Sequence, residues 1–353
     1  MTGYCVPADI EEIVARLGDA VGALDGKSVL LAGGAGFLGR YFVAVFSYLN
    51  RAVLRRPMRV TVVDNMITAG ALGELVKDEA SITYVNHDVI RPLEVRGDVD
   101  YVIHAAGIAS PFYYRRYPLE TLDVAVIGTR NLLELARLKR ARCLFFSSSE
   151  VYGDPDPRHV PTMESYRGNV ASMGPRACYD ESKRIGETLC YVYHEHFDTV
   201  TNCVRPFNIY GPGMQETDYR VMPNFAHRIK MGQPLLAYGT GTQTRTFCYV
   251  TDAIVGFLLA MLRGVPGHVY NIGNPVPEIS IAEVAQTMGR VLGRRLDVVT
   301  VEHPDSYPAD EPQRRCPDIQ KARQHLDFQP VCTLEEGLRR FLAWTDQVYT
   351  GTA

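Results

Sequence analysis

The sequence predicts an α/β fold in which a doubly wound parallel sheet carries helices on both faces and a smaller, interleaved lobe follows toward the C terminus. Three observations predict it. Short apolar, β-branched runs recur through the first half at Ser28–Ala32, Val60–Asp64, Ile82–Val85, Tyr101–Ala105 and Cys143–Ser147, with helix-like segments between them. A glycine-rich turn closes the first of these runs. After Arg205 the alternation loosens and Pro and Gly thicken, at Pro206, Gly211, Pro212, Gly213, Pro223, Gly232 and Pro234. The expected division is a helical extension over 1–26, a nucleotide-binding domain over 27–205 and, over 206–353, a lobe that holds the substrate and returns some segments to the first domain.

Composition bounds the function. A chain of 353 residues that is 46% hydrophobic and 22% charged can bury a large core. Net charge is −3 and the basic residues are scattered, which argues against nucleic acid and anionic membrane surfaces as partners. No apolar run reaches the roughly 18–20 residues that span a bilayer. The eight cysteines form no C-x-x-C pair and several lie in apolar runs, as expected of thiols in a reducing cytoplasm. The nine histidines show no metal-ligand spacing, so no metal is expected; His194 and His196 read as an exposed face and a core edge.

Taken in order, residues 1–25 read as an amphipathic helical preface through Ile10, Ile13, Val14 and Leu17, a packing element. The run S-V-L-L-A-G-G-A-G-F-L-G over Ser28–Gly39 then places Gly33, Gly36 and Gly39 between a strand and a helix. One glycine permits the tight turn, one admits a pyrophosphate to the backbone and one lets the helix pack on the strand, while the helix N terminus offers N–H groups to the anion. Phe37 and Leu38 share this turn. The next strand, V-T-V-V-D-N, ends in Asp64 and Asn65, and a carboxylate there accepts hydrogen bonds from adenosine ribose hydroxyls, which favours NAD over NADP. The long spacing from the glycines is assigned to a loop over Asn50–Met58. Asp88 and Val89 follow the third strand and Ala105 and Gly107 the fourth, all facing the same cofactor.

Helical apolar spacing extends from about Pro118 to Arg140 and from Cys178 to Phe197. Within the second stretch Tyr179 and Lys183 stand four residues apart in Y-D-E-S-K and share a helix face. A phenol with a pKa of about 10 is no base at neutral pH unless positive charge draws it down, and an ammonium and a nicotinamide ring both do so. Upstream, L-F-F-S-S-S-E-V-Y-G ends an apolar strand in three hydroxyls and an acid, including Ser148, Ser149 and Glu150.

The glycine turn, strand-end serines and Tyr/Lys pair together resemble the extended short-chain dehydrogenase/reductases, whose fold is Rossmann-type. Within them, S-S-E-V-Y-G-D-P, G-P-R-A-C-Y-D-E-S-K-R (Gly174–Arg184), R-P-F-N-I-Y-G-P (Arg205–Pro212), Y-G-T-G-T-Q-T-R-T-F (Tyr238–Phe247) and P-Q-R-R-C-P-D-I (Pro312–Ile319) are most similar to UDP-glucuronic acid decarboxylases. The resemblance implies NAD as cofactor, a UDP-sugar as substrate and a homodimer formed by the helices near 118–140 and 178–197. It makes Tyr179 the general base, Lys183 its partner and a ligand of the nicotinamide ribose, and Ser148 the hydroxyl on the reacting sugar oxygen. Ser149 and Glu150 match the Ser-Glu pair of decarboxylating members. Asn208, Tyr238, Arg245 and Arg315 match substrate contacts near the diphosphate or carboxylate, and Arg220 matches a cofactor contact. The implied reaction oxidises the sugar at C4, loses carbon dioxide from C6 and yields UDP-xylose or the 4-keto-pentose. Where members read T-N-x-x-G-T this chain reads V-A-V-I-G-T, with Ala125 for the Asn and Asp123 for a frequent Lys, both expected near the substrate. The competing readings are a nucleotide-sugar 4-epimerase and a non-catalytic NAD-binding regulator.

Overall fold

A computed structural model describes residues 4–68, 80–239, 241–302 and 312–351. Thr240, within the Tyr238–Phe247 stretch, lies outside the described residues. The central sheet has seven parallel strands: β1 (Ser28–Ala32), β2 (Arg59–Asp64), β3 (Ile82–Asn86), β4 (Tyr101–His104), β5 (Arg142–Phe146), β6 (Thr201–Pro206) and Val269–Ile272. They lie in the order Val269–Ile272, β6, β5, β4, β1, β2, β3. The α/β class and doubly wound parallel sheet are as the sequence predicts. Strand order reverses between β1 and β4, and a crevice opens at the carboxyl ends of strands where this happens.

Strand periodicity explains the two cores. Side chains alternate across a strand, so Val29 and Leu31 join Val60, Val62, Ile103, Leu144 and Phe146 on one face. Leu30 and Ala32 join Val63, Val102, Cys143 and Phe145 on the other. The first face is covered by α2 (Phe37–Ala52) and a helix at Val250–Arg263, and the second by helices at Thr129–Lys139 and Ala177–Phe197. All five positions of β1 are buried, as a central strand with helices on both faces requires.

The preface is a helix, α1 (Pro7–Leu17), with Ile10, Ile13 and Leu17 buried. Part of its polar side is buried too. Asp9 is wholly buried, accepts from Tyr249 Oη at 2.7 Å and pairs with Arg340 at 3.1 Å, while Arg16 reaches the buried Asp252 at 2.7 Å. The spacing from the glycines to Asp64 has a different origin from the one expected. α2 continues to Ala52, and only the residues beyond it form the connection, closed by Met58 N donating to Asn50 Oδ1 at 2.8 Å.

In the second half, Leu235–Tyr238 pairs in parallel with Val298–Val301, and Thr244–Arg245 lies between Ile279–Ser280 and Arg314–Arg315. This last ladder puts Arg245 and Arg315 in register. No helix among the described residues is long and apolar enough to cross a membrane.

Candidate active site

Two adjoining cavities occupy the crevice, and Ala105 and Gly107 line both. The smaller is lined by Gly33, Gly36, Asp64, Asn65, Asp88 and Val89. The three glycines behave differently. A Cβ on Gly33, whose φ is +86°, would stand 2.4 Å from Ala106 N, and one on Gly39 would stand 2.1 Å from Gly33 O. Both are glycine for close packing, and Gly39 lines neither cavity. Gly36 caps α2 at φ −73°, and its Cβ would meet nothing nearer than Gly33 O at 3.5 Å. That open approach at a helix N terminus fits a pyrophosphate. Asp64 Oδ2 accepts from Ala35 N at 2.9 Å, which ties the end of β2 to the turn. Asn65 donates to Asp88 at 2.9 Å across the same rim. These residues fit a dinucleotide, with Gly36 at its phosphates and Asp64 beside a ribose.

The larger cavity, about 630 Å³, is lined by Phe37, Leu38, Ser148, Ser149, Glu150, Tyr179, Lys183, Asn208, Arg220, Tyr238, Arg245 and Arg315 among others. Strand β5 delivers the serines. Ser148 Oγ caps the short turn Ser149–Tyr152 by accepting from Glu150 N at 3.3 Å. Tyr179 opens the long helix Ala177–Phe197, and its phenol shares the cavity with the Ser148 hydroxyl, which favours the ionised ring oxygen. Lys183 lies one turn on, buried, and donates to Phe146 O at 2.9 Å with its ammonium 5.7 Å from the Tyr179 ring centre. Burial pushes the Tyr179 phenol up to about 12 against the Ser148 hydroxyl, and burial takes Lys183 down to about 8. The expected lowering of the phenol by Lys183 is not seen within the protein: Ser148 and Arg220 are the groups that lower it, and burial outweighs them. Positive charge brought against the ring is what ionisation requires.

Glu150 is held by two buried guanidiniums. Its Oε2 accepts from Arg315 Nη2 at 2.7 Å and pairs with Arg176, which also approaches Asp180 at 3.7 Å. Arg176 was not among the residues expected at the site, although it stands inside the Gly174–Arg184 match. A side chain three residues before the tyrosine gave no periodic or spacing signal of its own. Among the described residues, Arg315 Nε is a buried donor with no hydrogen-bond partner. Arg245 is buried, and donates to the carbonyls of Thr244 at 2.8 Å and Pro312 at 2.6 Å. Asn208 donates to Thr246 O at 2.8 Å and Arg220 forks onto Asp218 at 2.5 Å.

Two expectations are corrected. Asp123 and Ala125 line neither cavity; Ala125 is buried in a π-helical turn at Val124–Gly128, and its neighbour Val124 faces the smaller cavity. Their departure from T-N-x-x-G-T therefore does not reach the larger cavity directly. Arg115 and Arg116 do line it, so among the described residues its wall carries seven cationic side chains (Arg115, Arg116, Arg176, Lys183, Arg220, Arg245, Arg315) against one carboxylate, Glu150. Such a lining favours a polyanionic ligand.

The profile of the NAD dependent epimerase/dehydratase family matches residues 29–273. The chain belongs to this family. A family member named UDP-glucuronic acid decarboxylase 1, from Xenopus tropicalis, is 41% identical over 317 residues, 90% of this chain and 71% of that protein. UDP-glucuronic acid decarboxylase 5 of Arabidopsis thaliana is 39% identical over 312 residues, 88% and 86% of the two chains. Among solved structures, a dTDP-glucose 4,6-dehydratase of Streptomyces venezuelae with NAD bound superposes with a TM-score of 0.78 at 25% identity, covering 91% of this chain and 97% of that one. Family membership makes the dinucleotide of the glycine turn NAD.

Proposed function

We propose that the protein converts UDP-glucuronate to UDP-xylose and carbon dioxide through a 4-ketone. One observation carries the reading: the Ser148–Tyr179 pair shares a cavity with the Arg176–Glu150–Arg315 array, in a chain 41% identical to a UDP-glucuronic acid decarboxylase.

Tyr179 takes the proton of the sugar 4-hydroxyl while Ser148 hydrogen bonds to the same oxygen. Bound NAD, held by Gly36, Asp64 and Lys183, supplies the two-electron oxidation at C4 and its reversal. A ketone at C4 is β to the C6 carboxylate, so the electron pair freed as carbon dioxide departs passes into the carbonyl as an enolate. Ser148 and Tyr179 stabilise that oxygen by hydrogen bonding. Arg245, Arg315, Asn208 and Tyr238 hold the diphosphate and sugar, and Arg220 reaches toward the cofactor. Glu150, fixed between Arg176 and Arg315, presents a set charge beside the departing carboxylate, and Ser149 supports that turn.

The test is to incubate the protein with NAD and UDP-glucuronate and follow nucleotide-sugar mass. Loss of one carbon dioxide per sugar is expected. Conversion to UDP-galacturonate at unchanged mass would replace this reading with an epimerase.

The same reading assigns cofactor binding to 27–205 and sugar binding mainly to 206–353. A homodimer is supported by apolar side chains left exposed on the two helical stretches, among them Leu119, Val126, Ile127, Ile185 and Tyr191. Light scattering on the eluted protein tests it. A cytoplasmic location is supported by eight free cysteines, and cell fractionation tests that.

A further inference from the structure

Two exposed aromatic rings meet at the mouth of the larger cavity. Phe112 is 41% exposed and Tyr219 is 54% exposed, and both line the cavity. Their ring centres are 5.5 Å apart at 45°, although they belong to different parts of the chain. Phe112 lies in the short helix Pro111–Arg116 after β4, and Tyr219 lies in the segment that leads into the helix Val221–Lys230. Two aromatic rings in contact present a stiff apolar surface to whatever passes the cavity mouth.

The two sides of this contact are anchored differently. The Tyr219 segment is fixed from behind: Tyr349 Oη donates to Met214 O at 3.0 Å, Glu216 accepts from Thr350 N and Gly351 N at 2.9 and 2.7 Å, and Gln215 donates to Thr68 O at 3.2 Å. The Phe112 side is a six-residue helix anchored by the buried Tyr114, whose carbonyl accepts from Cys178 Sγ at 3.6 Å, while Phe112 itself stands exposed at its start. Phe112 also stands edge-on to Tyr113 at 5.1 Å, and Tyr113 packs on the cluster in which Tyr114 stacks on Tyr179 at 5.2 Å. Aromatic contact thus runs from the cavity mouth to the phenol.

We propose that Phe112 and Tyr219 form a gate whose closure keeps the ketone in the cavity until it is reduced, so that these two rings set the ratio of UDP-xylose to free ketone. The inference rests on the decarboxylase reading. The two outcomes balance as follows. With the gate shut, the hydrogen and electron pair taken from C4 return to C4, and the net change is UDP-glucuronate and one proton to UDP-xylose and carbon dioxide. If the ketone escapes, the net change is UDP-glucuronate and NAD to the UDP-4-keto-pentose, carbon dioxide and NADH. NAD is the sole oxidant in both.

The test uses the full chain and its Phe112→Ala, Tyr219→Ala and doubly substituted forms, with Phe112→Leu as a variant that keeps the apolar volume. Ketone and xylose are resolved by mass after reaction, and release of prebound NADH is followed by its fluorescence in the presence of UDP. An exposed aromatic pair is worth up to about tenfold in a rate, so the double variant is expected to raise the ketone fraction and the NADH release rate by up to about tenfold while carbon dioxide is still evolved. An unchanged ketone fraction and an unchanged release rate in folded variants overturn the gate. If the unsubstituted protein evolves no carbon dioxide, the decarboxylase reading has failed instead, and the NADH release rate alone then decides the gate: faster release supports it and equal release overturns it.

Discussion

Gly33, Gly36 and Gly39 sit within a single turn, whereas Glu150, Arg176, Arg245 and Arg315 reach the other end of the crevice from four separate segments. The phosphate part of the cofactor end works through main chain and missing side chains, and its glycines must lie close together in sequence because one turn supplies them. The sugar end works through long side chains, which the fold can bring from anywhere. The difference is between a site that tolerates almost no added atom and one that depends on paired charge.

The largest expected effect lies between the two ends. Tyr179→Phe should lower turnover by about 10³-fold while NAD still binds, measured by product formation and by calorimetric titration of the cofactor. Next comes a contrast inside the glycine turn. Gly39→Ala drives a methyl against Gly33 O and should cost roughly 2–3 kcal/mol in denaturant unfolding. Gly36→Ala should leave stability nearly intact and weaken NAD binding by about tenfold, because its methyl points where a phosphate would lie. If the two substitutions gave the same phenotype, the distinction between a packing glycine and a binding glycine would be lost. At the sugar end, Arg176→Gln should reduce carbon dioxide release by about 10²-fold at unchanged NAD affinity, with Arg176→Lys recovering part of it. Equal loss of NAD binding would mark Arg176 as a general packing residue. The smallest effect is one of pH. Burial lowers Lys183 to about 8, so its ammonium is lost as pH rises through that value, and kcat/KM should decline there by severalfold.

The same contrast explains what the sequence could and could not reveal. Strand runs and the glycine turn were legible because alternation and close backbone approach are local demands, written in adjacent residues. Tyr179 and Lys183 were legible because a helix turn is a fixed spacing. The clamp on Glu150 was not, since Arg176 and Arg315 are 139 positions apart and only folding makes them neighbours. Nor was the raised phenol of Tyr179, because burial depends on what packs around it, Tyr114 above all. The position of Ala125 was misjudged for a related reason: one residue along a π-helical turn decides which wall a side chain faces.

The family profile begins at residue 29, yet that boundary is no place to cut the chain. Asp9 supplies a counter-charge to Arg340 in the helix Leu334–Val348 and Arg16 one to Asp252 in the helix Val250–Arg263, so α1 is riveted to two helices that follow it by more than 230 residues. A shortened version starting at the profile boundary would strand ionised groups and bare the apolar sockets of Ile10, Ile13 and Leu17, inviting precipitation before any assay could begin.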